Sequence, residues 1–213
     1  MNLLQQKIIR RIKSEGPITF KTFMEMALYE PELGYYTSQK TRIGRSGDFY
    51  TSSHLHPAFG MMIGKQIEEM WEVMGRPDDF KIVEMGAGAG HLCKDMLDYY
   101  NDAGYTIQDA RKERDIFKNL QYIIIELNPE VMNNQKALLS DYSGKIRWVS
   151  SIRELNNIKG CFLSNELLDA FPVHIIEMND EIKEIFVSTD NGKLTEIKGT
   201  PSTSGIADYI KEF

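Results

Sequence analysis

Phe80-Lys81-Ile82-Val83-Glu84-Met85-Gly86-Ala87-Gly88-Ala89-Gly90-His91-Leu92 is the stretch that decides the fold. Its first six residues are mostly apolar and stop at a glycine, the pattern of a short buried parallel strand. Leu92 to Tyr100 then reads as a helix. Glycines between strand and helix let the backbone turn tightly and let a ligand approach without a Cβ in the way. The helix N-terminus behind them offers N–H groups that favour a carboxylate or phosphate. The dinucleotide fingerprint needs a further glycine one position later, and His91 stands there. A carboxylate at Glu84 faces a pyrophosphate badly but can hold the ammonium or water network of an amino-acid-like ligand. These features move the reading from a nicotinamide-dependent oxidoreductase to an S-adenosylmethionine site spanning Glu84, Gly86, Gly88 and Gly90.

Downstream, the alternation repeats. Tyr122 to Leu127 is a second β-branched strand, and Pro129 opens a helix through Leu139. Ile146 to Val149 and Gly160 to Ser164 read as further strands, with a small helix over 151–156. Strands alternating with helices imply a parallel sheet with right-handed crossovers. Glu126, followed by Leu127, ends the second strand, where an acidic side chain can accept both hydroxyls of a ribose. Asn165-Glu166 emerges after the fourth strand, beyond the carboxyl end of the sheet, where ligands of open α/β folds lie. The same pair also reads as a helix start, with Asn165 as cap. Val173 to Met178 and Glu184 to Ser188 form a hairpin across Asn179-Asp180, and Lys198 to Gly205 reads as a loop. Residues 101–119 are polar and charged, an insertion or surface helix.

Upstream, residues 2–14 carry Leu3, Leu4, Ile8, Ile9 and Ile12 at helical spacing, an amphipathic docking helix ending at Glu15-Gly16-Pro17. Thr19 caps a second helix that presents Phe20, Phe23, Met24, Ala27 and Leu28 on one face. Residues 31–53 form a long loop rich in Gly, Ser and Tyr, a kind that usually serves function. His56 to Met74 is helical again, with Pro57 in its first turn. The expected organisation is an N-terminal helical region with a covering loop, residues 1–77, and a Rossmann-like core, residues 78–213.

Composition narrows the function. Apolar residues at 42% and charged residues at 26% are ordinary for a globular chain of 213 residues. A net charge of −6 argues against a nucleic-acid partner, which needs clustered Lys and Arg. No apolar run approaches the ~20 residues of a membrane helix. Cys93 and Cys161 share no CxxC spacing and read as free thiols in a reducing compartment; the four histidines show no zinc pattern, so no metal is expected.

Four motifs in order resemble the MidA-like (DUF185) methyltransferases: Tyr29-Glu30-Pro31-Glu32-Leu33-Gly34-Tyr35-Tyr36; Gly47-Asp48-Phe49-Tyr50-Thr51-Ser52 followed by Pro57-Ala58-Phe59-Gly60; Val83 to Gly90; and Ser164-Asn165-Glu166-Leu167-Leu168-Asp169-Ala170-Phe171-Pro172-Val173. The resemblance implies a class I methyltransferase fold binding S-adenosyl-L-methionine. Gly86 to Gly90, Glu126 and Leu127 would hold the cofactor, and Gly47, Asp48, Phe49, Thr51 and Ser52 would fold over it. Asn165, Glu166 and Asp169 would face the acceptor. The family's mitochondrial member is a protein-arginine methyltransferase of a respiratory complex I subunit. A protein substrate is thus implied, in the bacterial cytoplasm or, for a eukaryote, the mitochondrial matrix. A class I sheet has seven strands, whereas four core strands and a hairpin can be placed, so the sheet is expected to be truncated at its C-terminal side. The alternative is a non-catalytic cofactor-binding module in complex assembly.

Overall fold

A computed structural model of the chain describes residues 2–38, 56–102 and 116–212. The chain divides into two compact units, Met1–Lys40 with Leu168–Phe213, and Thr41–Leu167.

The second unit holds the glycine-rich turn. Its helices are α3 (Ala58–Val73), α4 (His91–Asp102), the single turn α5 (Ile116–Asn119) and α6 (Pro129–Leu138). Its strands are β2 (Phe80–Met85), β3 (Leu120–Ile125), β4 (Ile146–Val149) and β5 (Gly160–Leu163). They form one four-stranded sheet in the order β4-β3-β2-β5, and every pairing is parallel. The order reverses at β2, the first strand of the sheet, whose neighbours are β3 on one side and β5 on the other. Ligands of open α/β sheets bind in the crevice at such a reversal.

The two-residue period of β2 sorts its side chains. Phe80 and Ile82 pack with Cys93, Met96, Leu97 and Tyr100 of α4, and with Tyr122 and Ile124 of β3, in the main core. Val83 faces the other way, with Ile123, Ile125 and Val149. On α3, Ile67 and Trp71 are buried, and the Trp71 indole N–H donates to the Pro77 carbonyl at 2.9 Å. The strand β5 is the sheet's edge among the described residues, and Phe162 on it is 56% exposed. A groove of about 580 Å3 runs between α3 and β5, lined by Met70, Val73, Met74, Phe80, Cys161 and Phe162.

The first unit contains α1 (Leu3–Glu15), β1 (Ile18–Thr19), α2 (Phe20–Tyr29), β6 (Ile176–Met178), β7 (Ile182–Asp190), β8 (Lys193–Gly199) and α7 (Ser204–Lys211). Thr19 caps α2 as expected, its hydroxyl accepting from the Thr22 N–H. The expected hairpin is β6–β7, with Met178 opposite Ile182. The hairpin does not extend the parallel sheet. It belongs to a separate antiparallel sheet, where β7 pairs with β1 through Ile18↔Val187 and with β8 along its length. Ile8 and Ile12 of α1 close that sheet over Ile18, Met26 and Val187. The contacts therefore join the N-terminal helices to the C-terminal hairpin, a different partition from the division at 77/78 read from sequence. Residues 198–205 are also less irregular than expected, since β8 runs to Gly199 and α7 starts at Ser204. No helix among the described residues is long and apolar enough to cross a membrane.

Candidate functional site

The turn after β2 carries glycine at its three positions of left-handed backbone. Gly86, Gly88 and Gly90 have φ of +78°, +56° and +91°, the left-handed region where a Cβ costs roughly 1–2 kcal/mol. Space is short as well. A Cβ on Gly86 would stand 2.9 Å from Leu167 Cδ1, and one on Gly90 would stand 3.3 Å from Leu139 Cδ1. The Gly90 N–H donates to the Ala87 carbonyl at 2.9 Å, and Lys94 N–H to the Gly90 carbonyl at 3.0 Å, so the turn runs directly into α4.

Glu126 follows β3, the neighbour of β2. Its backbone N–H donates to the Val149 carbonyl at 3.0 Å, which fixes it at the carboxyl edge of the sheet. Its Oε1 accepts from the Asn128 N–H at 2.7 Å. Asn128 in turn caps α6, accepting from the Glu130 N–H at 2.9 Å. Burial raises the Glu126 pKa, while donors on Asn128, Leu127 and Gln135 pull the other way. The result is an oriented carboxylate with a cost attached to its charge, suited to accepting hydrogen bonds from hydroxyls. Leu127 beside it is 73% exposed.

Gln135 ties these parts together, and sequence reasoning missed it. It is fully buried on α6. Its Nε2 donates to the Gly88 carbonyl at 2.9 Å and lies 3.5 Å from Glu126 Oε2, while its Oε1 accepts from the Trp148 indole N–H at 3.0 Å. One amide therefore holds the glycine turn and the Glu126 carboxylate in register. The only signal in the sequence was a Gln on the helix that follows the acidic strand end.

Glu84 sits lower than its sequence reading implied. It is 2% exposed and points into the core, where the Tyr122 hydroxyl donates to Oε2 at 2.7 Å. Burial pushes its pKa to about 7, against the Tyr122 hydrogen bond. It braces the turn from beneath.

Past β5 the chain does not enter a helix at Asn165, so the capping reading of Asn165 is corrected. Residues 165–166 form a bend, and a short 3-10 turn spans Leu168–Ala170. The reason is backbone: Glu166 adopts φ +52°, which no α-helical first turn allows. Asn165 is half-buried and Glu166 exposed. They lie next to the glycine turn, because β5 pairs with β2 through Glu84↔Leu163 and Leu167 packs over Gly86. Asp169 falls in the other compact unit, exposed. Gly47, Asp48, Phe49, Thr51 and Ser52 lie outside the described residues.

A parallel sheet reversing at β2, a glycine turn at that point and an oriented carboxylate after the adjacent strand define a Rossmann-like fold with a candidate nucleoside site. Residues 62–213 match the family described as "Putative S-adenosyl-L-methionine-dependent methyltransferase", and the chain belongs to it. It is 26% identical to the mitochondrial protein arginine methyltransferase NDUFAF7 of Xenopus tropicalis, over 97% of this chain and 51% of that protein. It is also 26% identical to the human protein of that name, over 86% of this chain and 44% of that one. A crystal structure of a COG1565 superfamily member from Burkholderia thailandensis, bound to S-adenosyl-homocysteine, superposes with a TM-score of 0.75 at 25% identity, covering 98% of this chain and 52% of that one. The chain thus spans about half the length of the curated relatives it matches.

Proposed function

We propose that this chain binds S-adenosylmethionine at the Gly86–Gly90 turn and serves a methyl transfer to a protein side chain, arginine in the reading favoured by its relatives. The observation that carries the proposal is the Gln135 amide, which couples the Gly88 carbonyl to the Glu126 carboxylate. That arrangement leaves a Cβ-free cradle for an amino-acid-like tail and an acceptor for ribose hydroxyls on adjacent strand ends.

The cofactor, when bound, supplies a methyl group already activated on a sulfonium, so the protein's share is positioning and charge. Glu126 accepts from the ribose, with Leu127 offering apolar surface beside it. Glu84 supports the turn from the core. Asn165 and Glu166 face the acceptor, and Glu166 grips a guanidinium through a two-pronged ion pair. Its left-handed backbone fits this role, since non-glycine residues held there cluster at functional sites. Asp169 is a second acceptor-side carboxylate. By family resemblance, Gly47, Asp48, Phe49, Thr51 and Ser52 cover the cofactor. The finer reading is a respiratory-complex subunit as substrate, in the matrix of a mitochondrion or the cytoplasm of a bacterium.

Calorimetric titration with S-adenosyl-homocysteine and with NAD tests the cofactor. Binding of the first alone, lost in Gly88→Val, is the expected outcome; NAD binding would overturn it. Glu166→Gln should cut turnover by about 10–100-fold, the value of a charge-assisted hydrogen bond, while S-adenosyl-homocysteine affinity stays within about twofold. Equal losses in both would remove Glu166 from the acceptor side. Cofactor binding without methylation of any arginine-bearing protein would favour an assembly module instead.

A further inference from the structure

The motif Tyr29 to Tyr36 lies in the first compact unit, and its geometry is built. After α2 the chain folds back on the helix end. The Tyr35 N–H donates to the Ala27 carbonyl at 2.9 Å and the Tyr36 N–H to the Leu28 carbonyl at 2.8 Å. Gly34 makes the return possible, because a Cβ there would stand 2.7 Å from the Leu28 carbonyl oxygen and 2.6 Å from the Glu30 nitrogen. The return stacks Tyr36 on Tyr29, ring centroids 5.5 Å apart, and sets Tyr35 edge-on to Tyr36 at 5.1 Å. The Tyr29 hydroxyl then donates to the Ala170 carbonyl at 2.8 Å, which anchors the aromatic pair to the turn that carries Asp169.

Asp169 itself is exposed and lies within electrostatic range of both rings. Burial first, and this carboxylate in addition, raises the hydroxyl pKa of Tyr29; burial, Tyr29 and then Asp169 do so for Tyr36. Both phenols stay neutral, and the corner carries one negative charge beside stacked, half-buried π faces. A cation is attracted by such faces, and a planar guanidinium can stack on a ring while a carboxylate takes its N–H fork.

We propose that Tyr29, Tyr36 and Asp169 form a binding corner for a guanidinium side chain of the protein substrate. The proposal rests on the protein-methyltransferase reading for the identity of the partner. It assigns the tyrosine motif to substrate recognition and turns Asp169 from a general acceptor-side carboxylate into a specific cation partner.

The test is an NMR titration of the 213-residue chain with N-acetyl-Gly-Arg-Gly-amide and with its citrulline counterpart, a neutral analogue of similar shape. The arginine peptide should shift the ring signals of Tyr29 and Tyr36, and citrulline should bind at least about tenfold more weakly, as loss of a charge-assisted pair requires. Asp169→Asn and, separately, Tyr36→Leu should each weaken arginine binding by a similar factor. S-adenosyl-homocysteine affinity, measured on the same samples, should not change. Equal binding of citrulline, an unaltered arginine affinity in Asp169→Asn, or no response at the two rings would each overturn the corner. Arginine shifts without any S-adenosyl-homocysteine binding would instead sink the cofactor reading and leave the corner standing.

Discussion

Replacing Glu84 with Gln should make the Thr41–Leu167 unit more stable in a pH-dependent way. The carboxyl is 2% exposed and its pKa is about 7, against ~4.3 for an unperturbed glutamate. The folded state therefore binds its proton more tightly than the unfolded state does. Below pH ~4 both states hold the proton and Glu84 costs nothing. As pH rises the unfolded chain ionises first, and stability falls until the folded carboxyl also ionises, near pH 7. At 1.36 kcal/mol per pKa unit, the loss is about 3–4 kcal/mol by pH 8. The groups facing Glu84 do not blur this window. Burial raises the pKa of both Cys93 and Tyr122 well above their usual values, so each stays neutral throughout. Glutamine keeps an oxygen for the Tyr122 hydroxyl, now at 2.7 Å from Glu84, and has no charge to desolvate. The assay is urea unfolding followed by tryptophan fluorescence, since Trp71 and Trp148 both lie in this unit. The difference between Glu84→Gln and the parent should grow by about 3–4 kcal/mol from pH 4 to pH 8. A difference constant to within about 0.5 kcal/mol would refute the buried-carboxyl argument.

Gln135→Leu keeps the volume but strips the three hydrogen bonds to Gly88, Glu126 and Trp148 and leaves the Gly88 carbonyl and Trp148 N–H without the Gln135 partner. It should cost about 2–4 kcal/mol in the same unfolding assay and weaken S-adenosyl-homocysteine binding at least about tenfold; unchanged affinity would mean that the turn holds itself. Gly160→Ala should uncouple β5 from β2. The new Cβ would stand 1.8 Å from the Lys81 carbonyl oxygen, a collision that only strand separation relieves, and amide exchange across Ile82↔Cys161 and Glu84↔Leu163 should accelerate. Retained protection there would contradict it.

The parts of this fold legible in sequence were those written in backbone chemistry. The glycine turn, the helix start at Pro129 and the Thr19 cap each demand particular residues at particular places, and each was found where expected. The strand β8 was missed because its side chains do not alternate between buried and exposed. Its real signal was Asn191-Gly192, with φ of +47° and +78°, the two-residue turn that closes a tight hairpin between Asp190 and Lys193. Glu84 reads in the sequence as a ligand contact because a carboxylate just before the glycine turn can hold the ammonium or water network of an amino-acid-like ligand. Only the register of β2 against β3, which puts Glu84 opposite Ile124 and two pairs beyond Ile82↔Tyr122, on the same face of the sheet, shows that it faces inward. Gln135 was invisible for a similar reason. A buried glutamine on a helix looks like any polar residue until the sheet brings residue 88 and residue 126 within reach of one amide.

The two halves of the proposed site are held by different physics, and this bears on how each can vary. On the cofactor side, Gly86 and Gly90 are wedged against Leu167 and Leu139, Glu84 and Gln135 are buried, and Glu126 is fixed by the sheet edge. Almost any substitution there disturbs packing as well as binding. Glu166, proposed to face the acceptor, is exposed, and in the other compact unit Asp169 is exposed and Leu168 is 75% exposed. Side chains there can change with little effect on stability, because surface substitutions away from caps and buried networks stay within about 0.5 kcal/mol. On the proposed assignment, cofactor choice is tied to the fold itself, whereas acceptor choice rests on exposed carboxylates and half-buried tyrosines. Changes at Glu166 and at Asp169, which leave Leu167 and Gly34 in place, should alter substrate preference while leaving cofactor affinity intact, which is the separation that the Glu166 and Asp169 variants measure.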